Sequence, residues 1–446
     1  MEFVHAQGTQ LYFDGKPLKL RGFGIGTWLN MEHFMLRLPT PDSMIRTAFE
    51  EVYGQAEANR FFHSLQDCFI GPDDFRFLRD LGVNFIRVPF NYRLLLSDET
   101  GELREEGFQA LERLLDLCEE YQIFCMPDLH TAPGGQNPDW HSDNRTGWPQ
   151  FWEFQVFQQQ ITTLWGHIAR RLSRYRYLLG YDVLNEPAMA GWEPLNRFYR
   201  ETVKEILQND SNHLVVLEGD GFAMDFSGLD SFADPRVMLS FHYYPTVWHP
   251  DLLAPTLHRA ERRRQMEEGL VKLAGIRERF GKPVICGEAG YDLDFDNMPF
   301  CMDLLEDTLD LFEAHDIPWA LWTYKDACTM GIAYPRLDSP WMEFVSKLMP
   351  LWDHHSEMRQ AEAFTAQLAE GFGGVSDWLA YQSQFRIRGV LYAMQREKLL
   401  LPLLRETPVE KLKALAESFL FANCGIHPEY EALIRRYTAG RKDGEA

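Results

Sequence analysis

The sequence predicts an α/β protein: a (β/α)8 barrel, the TIM-barrel architecture, followed by a helical C-terminal extension. Three observations carry this expectation. Short apolar runs with strand chemistry recur between residues 18 and 323, amphipathic stretches separate them, and from Leu351 onward the strand-like runs give way to Glu, Gln, Arg, Leu and Ala. Near-continuous apolar strands alternating with helices indicate a parallel sheet covered on its outer face, and eight such units close a barrel. The expected organisation is a barrel over residues 1–350 and an extension over 351–446.

The strand candidates, in order, are Leu18–Ile25, Asn84–Phe90, Ile123–His130, Leu178–Asn185, His213–Glu218, Val237–Tyr243, Pro283–Glu288 and Ile317–Thr323. Residues 104–120 place apolar side chains at i, i+3, i+4 and i+7, the stripe of a helix packed on a core, and residues 194–208 and 261–280 do the same. Two connections are long. Residues 26 to about 75 follow the first strand and contain Trp28, His33, Phe34 and Phe49, while residues 131–148 follow the third and are rich in Gly, Pro, Asn and Trp. Both leave the C-terminal ends of strands, where barrel loops build ligand sites. In the extension, helical periodicity runs through 376–398 and 409–421. These helices are expected to pack on the barrel or on a second copy of the chain, making a homo-oligomer, with residues 439–446 a disordered tail.

At 446 residues, 45% hydrophobic and 25% charged, the chain has the composition of a soluble globular protein. Its formal charge of −22 argues against a nucleic-acid partner and against adsorption to an anionic membrane. No uninterrupted apolar run reaches the ~18 residues that a membrane span needs. The opening Met1-Glu-Phe-Val-His-Ala-Gln-Gly has no basic, apolar leader, and the seven cysteines form no CxxC pair; buried free thiols in a cytoplasmic enzyme are the expectation.

Two of the apolar runs end abruptly in a glutamate: Leu184-Asn185-Glu186-Pro187 and Val284-Ile285-Cys286-Gly287-Glu288. Carboxylates at the C-terminal ends of two barrel strands can split a glycosidic bond, one protonating the leaving oxygen while the other attacks the anomeric carbon. The acid needs a raised pKa, which an anionic nucleophile nearby supplies by repulsion.

With these residues the sequence resembles glycoside hydrolase family 5 over roughly residues 15–345. The resemblance implies a retaining mechanism with Glu186 as acid/base and Glu288 as nucleophile. It extends to Arg87 in Asn-Phe-Ile-Arg-Val-Pro-Phe, His130 in Pro-Asp-Leu-His, Asn185 beside Glu186, His242 and Tyr244 in His-Tyr-Tyr, and Trp322 in Ala-Leu-Trp-Thr-Tyr. Each has chemistry to offer: Arg87 and Tyr244 to orient the nucleophile, His242 beside the acid/base, Asn185 to the sugar 2-hydroxyl, His130 to another hydroxyl, and Trp322 as a platform under the ring. Gly24-Ile-Gly-Thr-Trp-Leu-Asn-Met-Glu is similar to a stretch of the exo-β-1,3-glucanase branch, which implies that Glu32 grips the terminal sugar. Ala132-Pro-Gly-Gly-Gln-Asn likewise implies Asn137 near the site. Thr27 and His33 depart from that branch, where a glycine and a proline stand.

The expected function is a retaining, exo-acting β-glycosidase on small β-glucosides or oligosaccharides, with no cofactor. The histidines lack ligand spacing, so no metal site is expected. An endo-acting glucanase or mannanase and a catalytically silent sugar-binding barrel are the alternatives.

Overall fold

A computed structural model describes residues 2–439, so the expected tail beyond Ala439 lies outside the described residues. Eight parallel strands close a barrel: β1 Arg21–Gly24, β2 Phe85–Asn91, β3 Phe124–Thr131, β4 Gly180–Asp182, β5 Leu214–Glu218, β6 Val237–Tyr243, β7 Val284–Ala289 and β8 Trp319–Leu321. Each pairs with its sequence neighbours and β8 pairs with β1, through Trp319↔Arg21 and Leu321↔Phe23. Each coincides with one expected run: β1, β4, β5 and β8 fall inside theirs, β6 matches its run, and β2, β3 and β7 each continue one residue past, to Asn91, Thr131 and Ala289. β1, β4 and β8 are shorter than expected at both ends: they begin two or three residues late, at Arg21, Gly180 and Trp319, and end at Gly24, Asp182 and Leu321, before Ile25, Asn185 and Trp322.

The outer helices arise where periodicity placed them: Glu105–Tyr121, Trp192–Asn209 and Arg259–Ala274, the last separated by Gly275 from Ile276–Phe280. The long connection after β1 is largely helical rather than loop. After residues 26–41 cross the C-terminal face it forms Asp42–Tyr53, Gln55–Phe69 and Pro72–Asp80, punctuated by Gly54 and Gly71. Apolar positions at helical spacing in 42–69, buried as Met44, Ile45, Ala48, Phe49, Phe61, Phe62, Leu65 and Phe69, account for this.

The extension begins with His354–Gly371 and Asp377–Gln395, a helical hairpin that lies over the C-terminal face of the barrel. The chain then descends the side of the barrel through Leu401–Arg405 and Leu412–Glu417, adds strand Cys424–Ile426 antiparallel to Ala333–Pro335, and ends in helix Pro428–Thr438. Leu400, Leu404, Leu415, Phe419 and Tyr430 belong to the same continuous apolar core as the barrel. The buried ammonium of Lys325, just past β8, fastens the parts together. It donates to the carbonyls of Phe69 at 2.6 Å and Phe419 at 2.9 Å and pairs with Asp74 at 2.6 Å.

All seven cysteines are free, six of them buried. Among the described residues no helix is long and apolar enough to cross a membrane.

Candidate active site

The site is built on the C-terminal ends of the strands around one guanidinium. Arg87, fully buried in β2, pairs with Asp128 at 3.1 Å, Asp182 at 2.8 Å, Glu218 at 3.1 Å and Glu288 at 2.5 Å, and donates to Asn185 Oδ1 at 2.7 Å. A charge taken out of water is sustained only by such compensation. Burial opposes the charge on Arg87, but the four carboxylates outweigh it and hold the group firmly protonated. In turn, burial and the neighbouring Glu218 push Asp182 well above the usual carboxylate range, against the pull of Arg87.

Glu288 is aimed by a bulge. The register of β7 against β6 shifts between Cys286↔Phe241 and Glu288↔His242, so Gly287 is the extra residue. A side chain there would strike Ser240 Oγ, since a Cβ would lie 2.4 Å from it. Glu288 receives Arg87 on one oxygen and the Tyr244 hydroxyl, at 2.8 Å, on the other. Glu186 follows the end of β4 in a left-handed conformation, φ 46°, which is costly for a residue that is neither glycine nor free of a following proline. Its backbone N–H donates to Glu218 Oε2 at 2.6 Å, and its carbonyl accepts from Asn137 Nδ2 at 2.9 Å. Backbone strain held by buried partners marks a place where side-chain direction matters.

The two glutamates face each other across His242. Its Nδ1 is 2.6 Å from Glu186 Oε1 and 3.5 Å from Glu288 Oε2, and its Nε2 is 3.1 Å from Glu218 Oε1. One ligand atom from each of Glu186, His242 and Glu288 lies within 4.8 Å of the others, the one such group among the described residues. Both carboxylates are nearly enclosed, Glu186 at 9% and Glu288 at 5% exposure.

The remaining expected residues gather here too. His130 Nδ1 lies 2.6 Å from Asp128 and its Nε2 lies 3.3 Å from Glu32, so Glu32, at the start of the β1 loop, meets the end of β3. Burial works against charge on His130, yet Asp128, Glu32 and Glu288 lift it to about 10. Trp322 lies parallel to the His130 ring, 5.5 Å between centroids, and Gly24 and Gly26 pass so close to the indole that a Cβ at either would lie within 2.7 Å of it. Asn137 reaches Glu186 through its backbone carbonyl rather than projecting at the carboxylates.

One expectation is overturned. Repulsion from Glu288 was to raise Glu186; instead, although burial pushes it up, His242 and His141 on either side hold it below the ordinary range. Burial raises Glu288, against the pull of His242 and Arg87. His141, whose Nε2 is 3.0 Å from Glu186 Oε2, escaped sequence reasoning, as did Asp128, Asp182 and Glu218 in the floor. The signal for the floor was present: a carboxylate inside an otherwise apolar strand needs a buried partner. His141 had only its place in a Gly- and Trp-rich loop.

The departures at Thr27 and His33 find partners. Thr27 Oγ1 accepts the Glu32 N–H at 3.1 Å, and His33 Nε2 meets Glu357 of the extension at 3.3 Å in full burial. Glu357 also accepts from the Trp352 indole.

The sequence family Cellulase (glycosyl hydrolase family 5) matches residues 58–327. The chain is 33% identical to a β-xylosidase of Phanerodontia chrysosporium over 356 residues, 77% of this chain and 75% of the other. It is 23% identical to endoglucanase C of Acetivibrio thermocellus over 298 residues, 58% of this chain and 85% of that one. Among solved structures, Thermotoga maritima Cel5A in complex with mannotriose shares the fold with a TM-score of 0.51 and 14% identity, over 70% of this chain and 92% of that one.

Proposed function

Because the chain belongs to glycosyl hydrolase family 5, we propose that it is a retaining, exo-acting β-glycosidase in which Glu288 is the nucleophile and Glu186 the acid and base. The observation that carries this reading is the facing pair: one carboxylate oxygen of Glu186 lies within 4.8 Å of one of Glu288, with His242 Nδ1 2.6 Å from the first residue and 3.5 Å from the second. Inverting enzymes hold their carboxyls about 6.5–9.5 Å apart to admit a water, whereas retaining ones need about 5–5.5 Å.

Glu288 attacks the anomeric carbon while Glu186 gives a proton to the glycosidic oxygen, releasing the aglycone and leaving a glycosyl ester on Glu288. Glu186, now a carboxylate, takes a proton from water, which attacks the same carbon and frees the sugar. Arg87 and Tyr244 orient the nucleophile and balance its charge. His141 and His242 hold protons within reach of Glu186, so the proton given to the leaving oxygen comes from a charged hydrogen-bonded set. Asn185 is placed for the 2-hydroxyl, Glu32 and His130 for hydroxyls farther round the ring, and Trp322 for its C–H face.

Exo action rests on enclosure. Both carboxylates are nearly enclosed: His141 of loop 131–148 lies against Glu186, Glu32 of loop 26–41 against His130, and Arg388 of the hairpin against Asp139, an enclosure that suits one terminal sugar better than a through-running polymer. A gluco- or xylo-configured terminal unit fits the names of its relatives, a β-xylosidase and a glucan 1,3-β-glucosidase.

The test is hydrolysis of a panel of aryl β-glycosides (glucoside, xyloside, galactoside, mannoside, fucoside, cellobioside), wild type beside Glu288→Gln. Cleavage of one monosaccharide glycoside with retention, absent in the variant, supports the reading. Activity confined to the cellobioside or to polymer replaces it with endo action, and silence throughout removes it.

A further inference from the structure

We infer that the C-terminal hairpin forms the aglycone wall of the active site, where Phe222, Phe385, Tyr381 and Trp378 receive an apolar aglycone rather than a second sugar. The inference deepens the glycosidase reading and rests on it.

The leaving group departs past the acid/base. Beyond Glu186, in that direction, stands His141, and against His141 lies the ring of Phe222, 6.2 Å between centroids. Phe222 is held beside the site by its own backbone: its N–H donates to the Pro187 carbonyl at 3.1 Å, and Gly221, Phe222 and Ala223 all have φ of 62°. Two successive non-glycine residues in the left-handed region cost about 1–2 kcal/mol each, so this turn is sustained by its surroundings.

From Phe222 the aromatic surface continues onto the extension. Phe385 stacks with Phe222 at 6.4 Å, Tyr381 meets Phe385 edge-on at 5.1 Å, and Trp378 stacks with Tyr381 at 6.0 Å. Positions 378, 381 and 385 are i, i+3 and i+7 on helix Asp377–Gln395, so one helix face presents all three. Exposure rises along the line from buried Phe385 to Trp378 at 55% and its neighbour Leu379 at 46%, and Phe372 at the hairpin tip is 84% exposed. A sugar needs hydrogen-bonding groups around its rim. This line offers aromatic faces and, at its outer end, leucine and phenylalanine, the lining that favours an aryl or alkyl group.

The helix is fixed against the site. Arg388 pairs with Asp139 of the β3 loop at 3.0 Å, and the helix backbone touches that loop at two glycines. The aromatic line is therefore held against the β3 loop that carries His141.

The experiment compares a β-glycosyl fluoride, whose leaving group is a single atom, with the octyl and naphthyl glycosides and a β-linked disaccharide of the same sugar. Wild type is run beside Trp378→Ala, Tyr381→Ala and the conservative Trp378→Phe. Two alanine variants at exposed positions guard against a folding defect in either. The expected result is that the ratio of kcat/KM for the apolar glycosides to that for the fluoride falls about tenfold or more in the alanine variants, mainly through KM, and recovers in Trp378→Phe. An unchanged ratio while wild type still hydrolyses the fluoride overturns the inference and leaves the glycosidase reading standing. An equal loss on the disaccharide overturns it in favour of a second sugar. Wild type inert on the fluoride, like Glu288→Gln, removes both.

Discussion

His141 Nε2 lies 3.0 Å from Glu186 Oε2, on the opposite side of the carboxyl from His242 at 2.6 Å. Glu186 is thus gripped by two imidazoles, and with them charged its carboxyl is held below the ordinary range. Replacing His141 by Gln removes one of the two positive partners, so the Glu186 carboxyl rises. The alkaline limb of the kcat/KM–pH profile, which reports loss of the proton that Glu186 shares with its hydrogen-bonded imidazoles in the free enzyme, is expected to move to higher pH. Profiles of wild type and His141→Gln across pH 4–10 decide it; a limb that stays put or moves down would show that His141 does not set the proton affinity of Glu186.

Removal of the acid itself reads differently. Glu186→Ala is expected to lose about 10²–10⁴-fold in turnover of glycosides with poor leaving groups and far less on dinitrophenyl glycosides, whose departure needs no proton. Azide, fitting the vacated space, should restore the second step and yield a β-glycosyl azide. Equal loss on all leaving groups without azide product would assign the acid/base elsewhere.

How much of this was legible beforehand depends on where the burial lies. The strands showed as apolar runs because a barrel strand is covered on both faces, and Glu186 and Glu288 stood out as carboxylates ending such runs. The helices of residues 42–69 were hidden by the expectation of a loop after β1, although Phe49, Phe61 and Phe62 keep helical spacing. The extension's role had no local signature: Glu357 on His33 and Arg388 on Asp139 join residues hundreds of positions apart. The lowered pKa of Glu186 could not be foreseen, because His141 enters from an irregular loop whose path the sequence does not specify.

His130 gives the site a signed dependence on pH. Its folded pKa, lifted to about 10, lies above the unfolded value of about 6.5. The stabilisation it gains from Asp128 and Glu32 is fully present below about 6.5 and is lost as pH rises through about 10. Thermal midpoints should therefore fall by several degrees between pH 6.5 and 10 in wild type and fall less in His130→Gln. Parallel curves for the two proteins would exclude His130 as the source.

Arg87 compensates four buried carboxylates, so its loss cannot be confined to catalysis. Arg87→Met removes the one cation they share, leaving His130 and His242 as the remaining basic partners of Asp128, Glu218 and Glu288, and should cost about 3–5 kcal/mol, or prevent folding at neutral pH. Lowering the pH protonates the orphaned carboxyls, so the variant should regain stability relative to wild type towards pH 4–5. Denaturant unfolding at both pH values checks it; a deficit independent of pH would mean that lost packing, rather than unpaired charge, accounts for the damage.

Gly389 tests whether the hairpin is fixed to the pocket. A Cβ there would lie 2.7 Å from the Arg145 carbonyl oxygen, and across the same contact a Cβ on Gly147, at φ 65°, would lie 2.1 Å from the carbonyl oxygen of Phe385. Both obstacles are backbone, which yields little, so Gly389→Ala should push helix Asp377–Gln395 off the β3 loop at a cost of about 1–3 kcal/mol. Much of that cost falls on the hairpin, because the barrel closes through its own strands and Leu400 onward keeps its place in the core. Limited proteolysis should then cut the variant near the Gly373-Gly374 tip faster than wild type, with the thermal transition of the barrel little changed. Activity on the glycosyl fluoride should fall less than activity on the octyl glycoside, since only the latter uses the displaced wall. Cleavage at the wild-type rate, with both substrates affected alike, would show that the contact accommodates a methyl group at Gly389 and that the hairpin is not held by it.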